Sequence, residues 1–179
     1  YLRYCPGRRG ITFCGGIAHS RHVVEQFEAS GIRARHVDAD TAPEERDASV
    51  EALRAGELDI LSNVDLFGEG FDLPAIEAIM LLRPTQSFAM YRQQVGRGLR
   101  TFPGKADCVI LDHAGNAIRH GLPDEDVSWS LEGREARLRA SNGAGPSVRV
   151  CPKCFAAQYA GIPRCRFCGH EYAVVGRKV

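Results

Sequence analysis

An α/β protein, a parallel sheet flanked by helices with a small cysteine-bearing appendage, is the fold class this sequence predicts, on three observations. Short apolar runs alternate with helix-patterned stretches as far as Leu111, which is the rhythm of a parallel sheet with helices on its faces. A run of Ser, Asn, Gly, Ala and Pro then fills 141–147, a linker by composition. Two Cys-x-x-Cys pairs follow it.

Taken in order, 10–14 reads as the first strand. Ser20 is expected to cap the next helix, which carries Val23, Val24 and Phe27, and Gly31 supplies the left-handed residue that ends it. A second strand is expected at 32–37. Thr41-Ala42-Pro43-Glu44 has capping-box spacing and opens a helix to about residue 55, stopped by Gly56. Three more strands are expected at 58–63, 76–82 and 108–111, with a helix between the last two. Cys14 and Cys108 fall inside strands as small buried hydrophobes. The stretch 113–122 reads as a loop leaving the sheet, and 124–140 as a charged helix around Trp129. The expected division is therefore 1–122, 123–147 and 148–179.

Composition excludes several classes. No apolar run reaches membrane-spanning length and no signal-peptide pattern opens the chain, so no membrane partner is expected. A net charge of +1 spreads no global field, so a nucleic-acid surface must be local. After Ser147, six basic residues (Arg149, Lys153, Arg164, Arg166, Arg177 and Lys178) stand against Glu171 alone. Seven cysteines cannot all pair, which argues for a reduced, cytoplasmic setting. The chain opens on Tyr1 rather than Met, which points to a piece of something longer.

Gln93-Gln94-Val95-Gly96-Arg97-Gly98-Leu99-Arg100 is the most informative segment. At about 100° per residue, Gln93, Arg97 and Arg100 share a polar sector, and Phe88, Tyr91, Val95 and Leu99 take the opposite, core-facing side. Guanidiniums are permanently charged, forked donors suited to a phosphate whose charge grows as a bond breaks. Upstream, Leu61-Ser62-Asn63-Val64-Asp65-Leu66-Phe67-Gly68-Glu69-Gly70-Phe71-Asp72-Leu73-Pro74 ends a strand in a glycine-rich loop. Strand carboxyl ends are where parallel sheets place ligands.

Together these segments resemble motifs V and VI of superfamily 2 helicases, the DEAD/DEAH-like nucleic-acid-dependent ATPases, over roughly 10–120. The resemblance implies a RecA-like sheet and an ATP site shared between two domains. Arg97 and Arg100 would be arginine fingers aimed at a crevice at the strand ends. Gly70, Asp72 and Gln93 would lie near the nucleotide. Ser62 and Asn63 would face a DNA or RNA backbone, with Ser20, Arg21 and Thr41 as further backbone contacts. Gln94 stands where DEAD-box members carry another arginine. Leu82-Arg83-Pro84-Thr85 and Leu111-Asp112-His113-Ala114-Gly115-Asn116 resemble the restriction-type branch. No Gly-x-x-x-x-Gly-Lys-Ser/Thr loop occurs, and Asp124-Glu125-Asp126 follows Gly-Leu-Pro rather than an apolar strand. The phosphate loop and the Mg²⁺ carboxylate are therefore expected on an N-terminal RecA-like partner domain, and this chain alone should be inactive. A non-catalytic nucleic-acid-binding or assembly module is the alternative.

Cys151-Pro152-Lys153-Cys154 and Cys165-Arg166-Phe167-Cys168 have the spacing of a zinc ribbon. Each pair wraps one edge of a tetrahedral Zn²⁺, leaving no position open for a catalytic water. Two disulfides or free thiols are the competing readings. Lys153, Arg164 and Arg166 are candidate nucleic-acid contacts. Phe155, Tyr159 and Phe167 are expected either to stack on bases or to pack against the metal turns.

Overall fold

Five four-residue strands lie side by side: β1 (Gly10–Phe13), β2 (Ala34–Val37), β3 (Ile60–Asn63), β4 (Ala78–Leu81) and β5 (Val109–Asp112). All are parallel, in the order β2-β3-β1-β4-β5. The structure, a computed structural model, describes residues 1–66, 76–125 and 148–173. The chain divides into two units, Tyr1–Asn116 and Ala117–Val179.

Both faces of the sheet are covered, which is why β1, β3 and β4 are buried at every position and not at alternate ones. Helix α1 (Ile17–Ala29) sends Val24 and Phe27 against Ala34, Ile60 and Met80 on one face. Helices α2 (Pro43–Ala55) and α3 (Phe88–Gly98) send Val50, Leu53, Tyr91 and Val95 onto the other, around Ile11, Leu61, Ile79 and Leu81. All five expected strands are present, the first four trimmed at their ends and the fifth shifted by one residue, to 109–112 instead of 108–111. The short α4 (Asn116–His120) follows the last strand. Most of the expected charged helix lies outside the described residues.

The helix ends differ from the expected caps. Ser20 sits inside α1, buried, and the cap position falls to Gly16, whose φ of −178° is plain extended backbone. Ala42 precedes α2, with Pro43 opening it, and the Thr41 hydroxyl turns back to Asp38 instead of capping. Gly56 does end α2 in the left-handed region, at φ 78°. Ser87, not singled out from sequence, caps α3 by accepting from the Met90 amide.

Gly98 lets α3 lie flat on the sheet. A Cβ there would stand 2.5 Å from Cys108 Sγ and 2.6 Å from Ile79 Cδ1. Alanine is intrinsically the better helix former by about 1 kcal/mol, but the clash is larger. Gly98→Ala is expected to lower stability by about 1–3 kcal/mol in denaturant unfolding, against the sign of its helix propensity.

Candidate functional site

The last turn of α3 carries the motif arginines, and the structure separates them. Arg97 lies within the helix and is only 8% exposed. Arg100 lies beyond the helix, after Leu99 at the C-cap, and is exposed. This corrects the expected polar sector, since Leu99 points outward and Arg97 does not. The reason is angular: Tyr91, Val95 and Gly98 define the sheet-facing side, and Arg97 sits on its flank, while Leu99 and Arg100 follow a helix that has already stopped. Gln93 is exposed on the same helix. Lys105 fixes the helix end, its Nζ donating to the carbonyls of Gly98 and Arg100 at 2.6 and 2.7 Å. An ammonium at that end also suits the helix dipole.

A second correction follows from direction. Helix α3 returns against the strands, so its last turn packs over Cys108, just ahead of β5. The arginine-bearing turn therefore lies toward the amino ends of the strands, not at the carboxyl-end crevice with Asn63 and Thr41. Gly70 and Asp72 lie outside the described residues.

The carboxyl edge holds a hydrogen-bonded relay that the sequence reading did not assemble. Thr12 Oγ1 on β1 donates to Ser62 Oγ on β3 at 2.7 Å, and Ser62 Oγ meets Ser20 Oγ at 2.6 Å. Ser20 Oγ lies 2.7 Å from His36 Nδ1 on β2, and His36 Nε2 lies 2.9 Å from Asp38 Oδ2. Asp38 Oδ1 then accepts from the hydroxyl and amide of Thr41 and from the Asp40 amide, each at 3.0 Å. Three strands, one helix and the loop after β2 are thus joined by polar groups inside the unit. The available signal was Thr12, a hydroxyl between Ile11 and Phe13, whereas Ser20 stands between His19 and Arg21 and Ser62 beside Asn63, where nothing marks them.

That relay corrects the expected roles of Ser62 and Asn63. Both side chains are fully buried, so neither presents itself to a nucleic-acid backbone. Ser62 belongs to the relay. Asn63 Nδ2 donates to the Thr12 carbonyl at 2.6 Å, clamping β3 to β1. The Thr41 hydroxyl is likewise engaged by Asp38. Around the same edge, Arg83 pairs with Asp65, which adopts φ 52°. Asn116 ties the 83–85 turn through the Arg83 carbonyl and the Thr85 amide.

The His36 hydrogen bond holds the Asp38 carboxyl below its ordinary 3.8, with Thr41 and the Asp40 amide acting in the same direction against burial. A depressed carboxylate pKa means stabilisation present at neutral pH and lost as pH falls through the acid range. Asp38→Asn is expected to cost about 1–3 kcal/mol at pH 7. Denaturant unfolding across pH should show parent and variant converging below about pH 4.

In the second unit, β6 (Val148–Val150) pairs antiparallel with β7 (Ala157–Tyr159). The four cysteines gather there, their sulfurs all within 4.8 Å of one another. A zinc–sulfur bond of about 2.3 Å puts tetrahedral sulfurs about 3.8 Å apart. Cys151 and Cys168, and likewise Cys154 and Cys165, lie at 3.6 Å, far beyond a disulfide at about 2.05 Å. The two knuckles share one backbone pattern. Phe155 N donates to Cys151 O and Gly169 N to Cys165 O, while Cys151 N reaches Ala156 O and Cys165 N reaches His170 O.

Thiolate character follows from the same turns. Burial pushes the Cys165 thiol up, but the amides of Cys168 and Phe167 and bonds from Cys154 and Cys168 outweigh it and bring it down to about 6. Cys151 is lowered in the same way by the amides of Cys154 and Lys153. Burial and the neighbouring Cys151 and Cys165 keep the proton on Tyr172, whose hydroxyl accepts from Gln158 Nε2. Tyr172 also carries the Arg149 guanidinium 4.4 Å from its ring centre. These four cysteines therefore fit Zn²⁺ in donor type, number and spacing. Lys153, Arg164 and Arg166 are all exposed on this module, Arg164 paired with Glu171.

Among the described residues no helix is long and apolar enough to cross a membrane. The helicase conserved C-terminal domain matches residues 2–102, more than half the chain. A 51.5 kDa protein of a Lactococcus phage is 32% identical over 176 residues, 97% of this chain and 38% of that protein. The IRC3 protein of Saccharomyces cerevisiae is 39% identical over 98 residues, 55% of this chain and 14% of that protein. The chain thus spans well under half the length of these relatives. Among solved structures, the E. coli DEAD-box protein SrmB superposes with a TM-score of 0.54 at 18% identity, covering 62% of this chain and 64% of that one. The type ISP restriction-modification enzyme LlaBIII, bound to DNA, gives 0.50 at 30% identity over 60% of this chain and 8% of that one. A five-stranded parallel sheet, the motif helix and the family match lead to one conclusion: this chain belongs to the superfamily 2 helicase C-terminal domains, and carries in addition a four-cysteine ribbon.

Proposed function

We propose that this chain is the C-terminal part of an ATP-dependent nucleic-acid helicase or translocase. ATP with Mg²⁺ would bind between this sheet and an N-terminal RecA-like domain that supplies the phosphate loop and the metal carboxylate. The chain's own contribution is Arg97, with Arg100 behind it and Gln93 one turn earlier, acting on the γ-phosphate as its charge grows. By the same resemblance Gly70 and Asp72, which lie outside the described residues, would contact the nucleotide. The proposed division is 1–122 for the nucleotide wall, 123–147 for a helix and linker and 148–179 for the ribbon, and a reducing, cytoplasmic setting is proposed with it.

The observation that carries this reading is the family match across 2–102, which includes the Gln-x-x-Gly-Arg-x-x-Arg helix. The structure supports it physically by anchoring the last turn of that helix twice, through Gly98 on the sheet and Lys105 on its carbonyls. Nucleic acid, DNA or RNA, is the proposed partner of the carboxyl edge and, independently, of the ribbon, where Lys153, Arg164 and Arg166 are exposed. With Ser62 and Asn63 buried, contacts at the edge fall to loop backbone rather than to those side chains.

The test is ATP turnover by the intact protein with and without nucleic acid. Stimulated turnover supports the helicase reading. Nucleic-acid binding without any turnover would replace it with a non-catalytic binding or assembly module.

A further inference from the structure

Two phenylalanines on the ribbon face water, one at each knuckle. Phe155 is 61% exposed and Phe167 is 73% exposed. Tyr159, by contrast, is half-buried in the hairpin. The expected alternative, aromatics packed on the metal turns, therefore does not describe either phenylalanine.

Phe155 is held in a conformation unsuited to it. Its φ is +61°, at the turn position that Gly169 fills in the other knuckle with φ +71°. A bulky side chain at positive φ is an outlier, and such positions cluster where function selects the side chain over the backbone. The aromatic neither relieves that strain nor adds to the core. The ribbon is also one-signed: Arg149, Lys153, Arg164 and Arg166 stand against Glu171, and Glu171 is already paired with Arg164. Lys153 lies within the first knuckle and Arg166 beside Phe167 in the second, and both are exposed.

From this geometry we infer that the ribbon is a stacking platform for single-stranded nucleic acid. Phe155 and Phe167 each take the face of an unpaired base, while Lys153 and Arg166 follow the phosphates. Aromatic faces accept any base, and a duplex hides those faces, so the platform selects strand state rather than sequence. The inference rests on the proposed nucleic-acid role of the ribbon and adds the form of the ligand.

The test uses the zinc-loaded chain, a fluorescein-labelled oligothymidylate and a duplex of equal length, read by anisotropy. Phe155→Gly suits the backbone and should keep full zinc content, so a folding defect is separable. Phe155→Gly and Phe167→Ala are each expected to weaken single-strand binding about 5- to 150-fold while leaving duplex binding within about twofold. Phe155→Trp, which keeps a stacking face, should bind the single strand like the parent. Lys153→Gln with Arg166→Gln should weaken both ligands and flatten the salt dependence by about 0.7 per charge on the single strand. Should the charge variants weaken binding while the phenylalanine variants do not, stacking is overturned and the charged grip stands. Should neither set change binding, or should the chain bind neither ligand, the ribbon's nucleic-acid role falls with it, in favour of a protein partner.

Discussion

Chelating zinc from this chain is expected to unfold 148–173 and leave the five-stranded sheet folded. The ribbon has almost no apolar core of its own: the buried hydrophobic residues described in it are Val148, Cys151 and Cys165. Its hairpin has three paired positions, and an isolated two-stranded hairpin is marginal in water. The sheet has its own clusters around Ile11, Leu61 and Ile79 and around Ile60 and Met80. Zinc held by these four cysteines would contribute on the order of 10 kcal/mol to the ribbon. Cys165→Ser should reproduce the effect of chelation, because it removes a thiolate that the turn amides stabilise. Amide hydrogen exchange reads both outcomes together: protection lost through β6 and β7, retained through β1 to β5. Protection that survives chelation in the ribbon would show that the hairpin does not need the metal.

Much of this was legible in the sequence, for reasons that are local. Apolar runs bounded by Gly31, Gly56 and polar turns specify strands and helix ends whatever the tertiary context, and Cys-x-x-Cys spacing fixes a knuckle by itself. What failed depended on neighbours. Ser20 looks like a cap because serine usually is one. It is drawn inside α1 by a hydroxyl partner on β3, forty-two residues away in sequence, that no local pattern reveals. Ser62 and Asn63 look like ligands at a strand end, yet the adjacent β1 engages both, the Thr12 hydroxyl donating to Ser62 and the Thr12 carbonyl accepting from Asn63 Nδ2. The helical wheel placed Leu99 and Arg100 on faces of a helix that stops before them. It also gave no warning that a helix returning against its strands carries its last turn to their amino ends.

Replacing Arg97 by alanine in the intact protein is expected to lower the rate of ATP hydrolysis by about 10³ to 10⁵, with ATP binding retained. Only interactions made in the transition state reduce turnover without reducing affinity, and a guanidinium on the γ-phosphate is of that kind. Arg97 is well placed for such a role in one respect: its helix end is pinned by Lys105 and seated by Gly98, so little order has to be gained during the reaction. Arg97→Lys keeps charge but loses the planar fork, and should recover little of the rate. The decisive measurement is single-turnover hydrolysis at saturating ATP and nucleic acid, parent against Arg97→Ala, with nucleotide affinity determined on the same samples. Loss of hydrolysis at unchanged affinity is the expected result. Hydrolysis within about threefold of the parent would contradict a catalytic role for this helix.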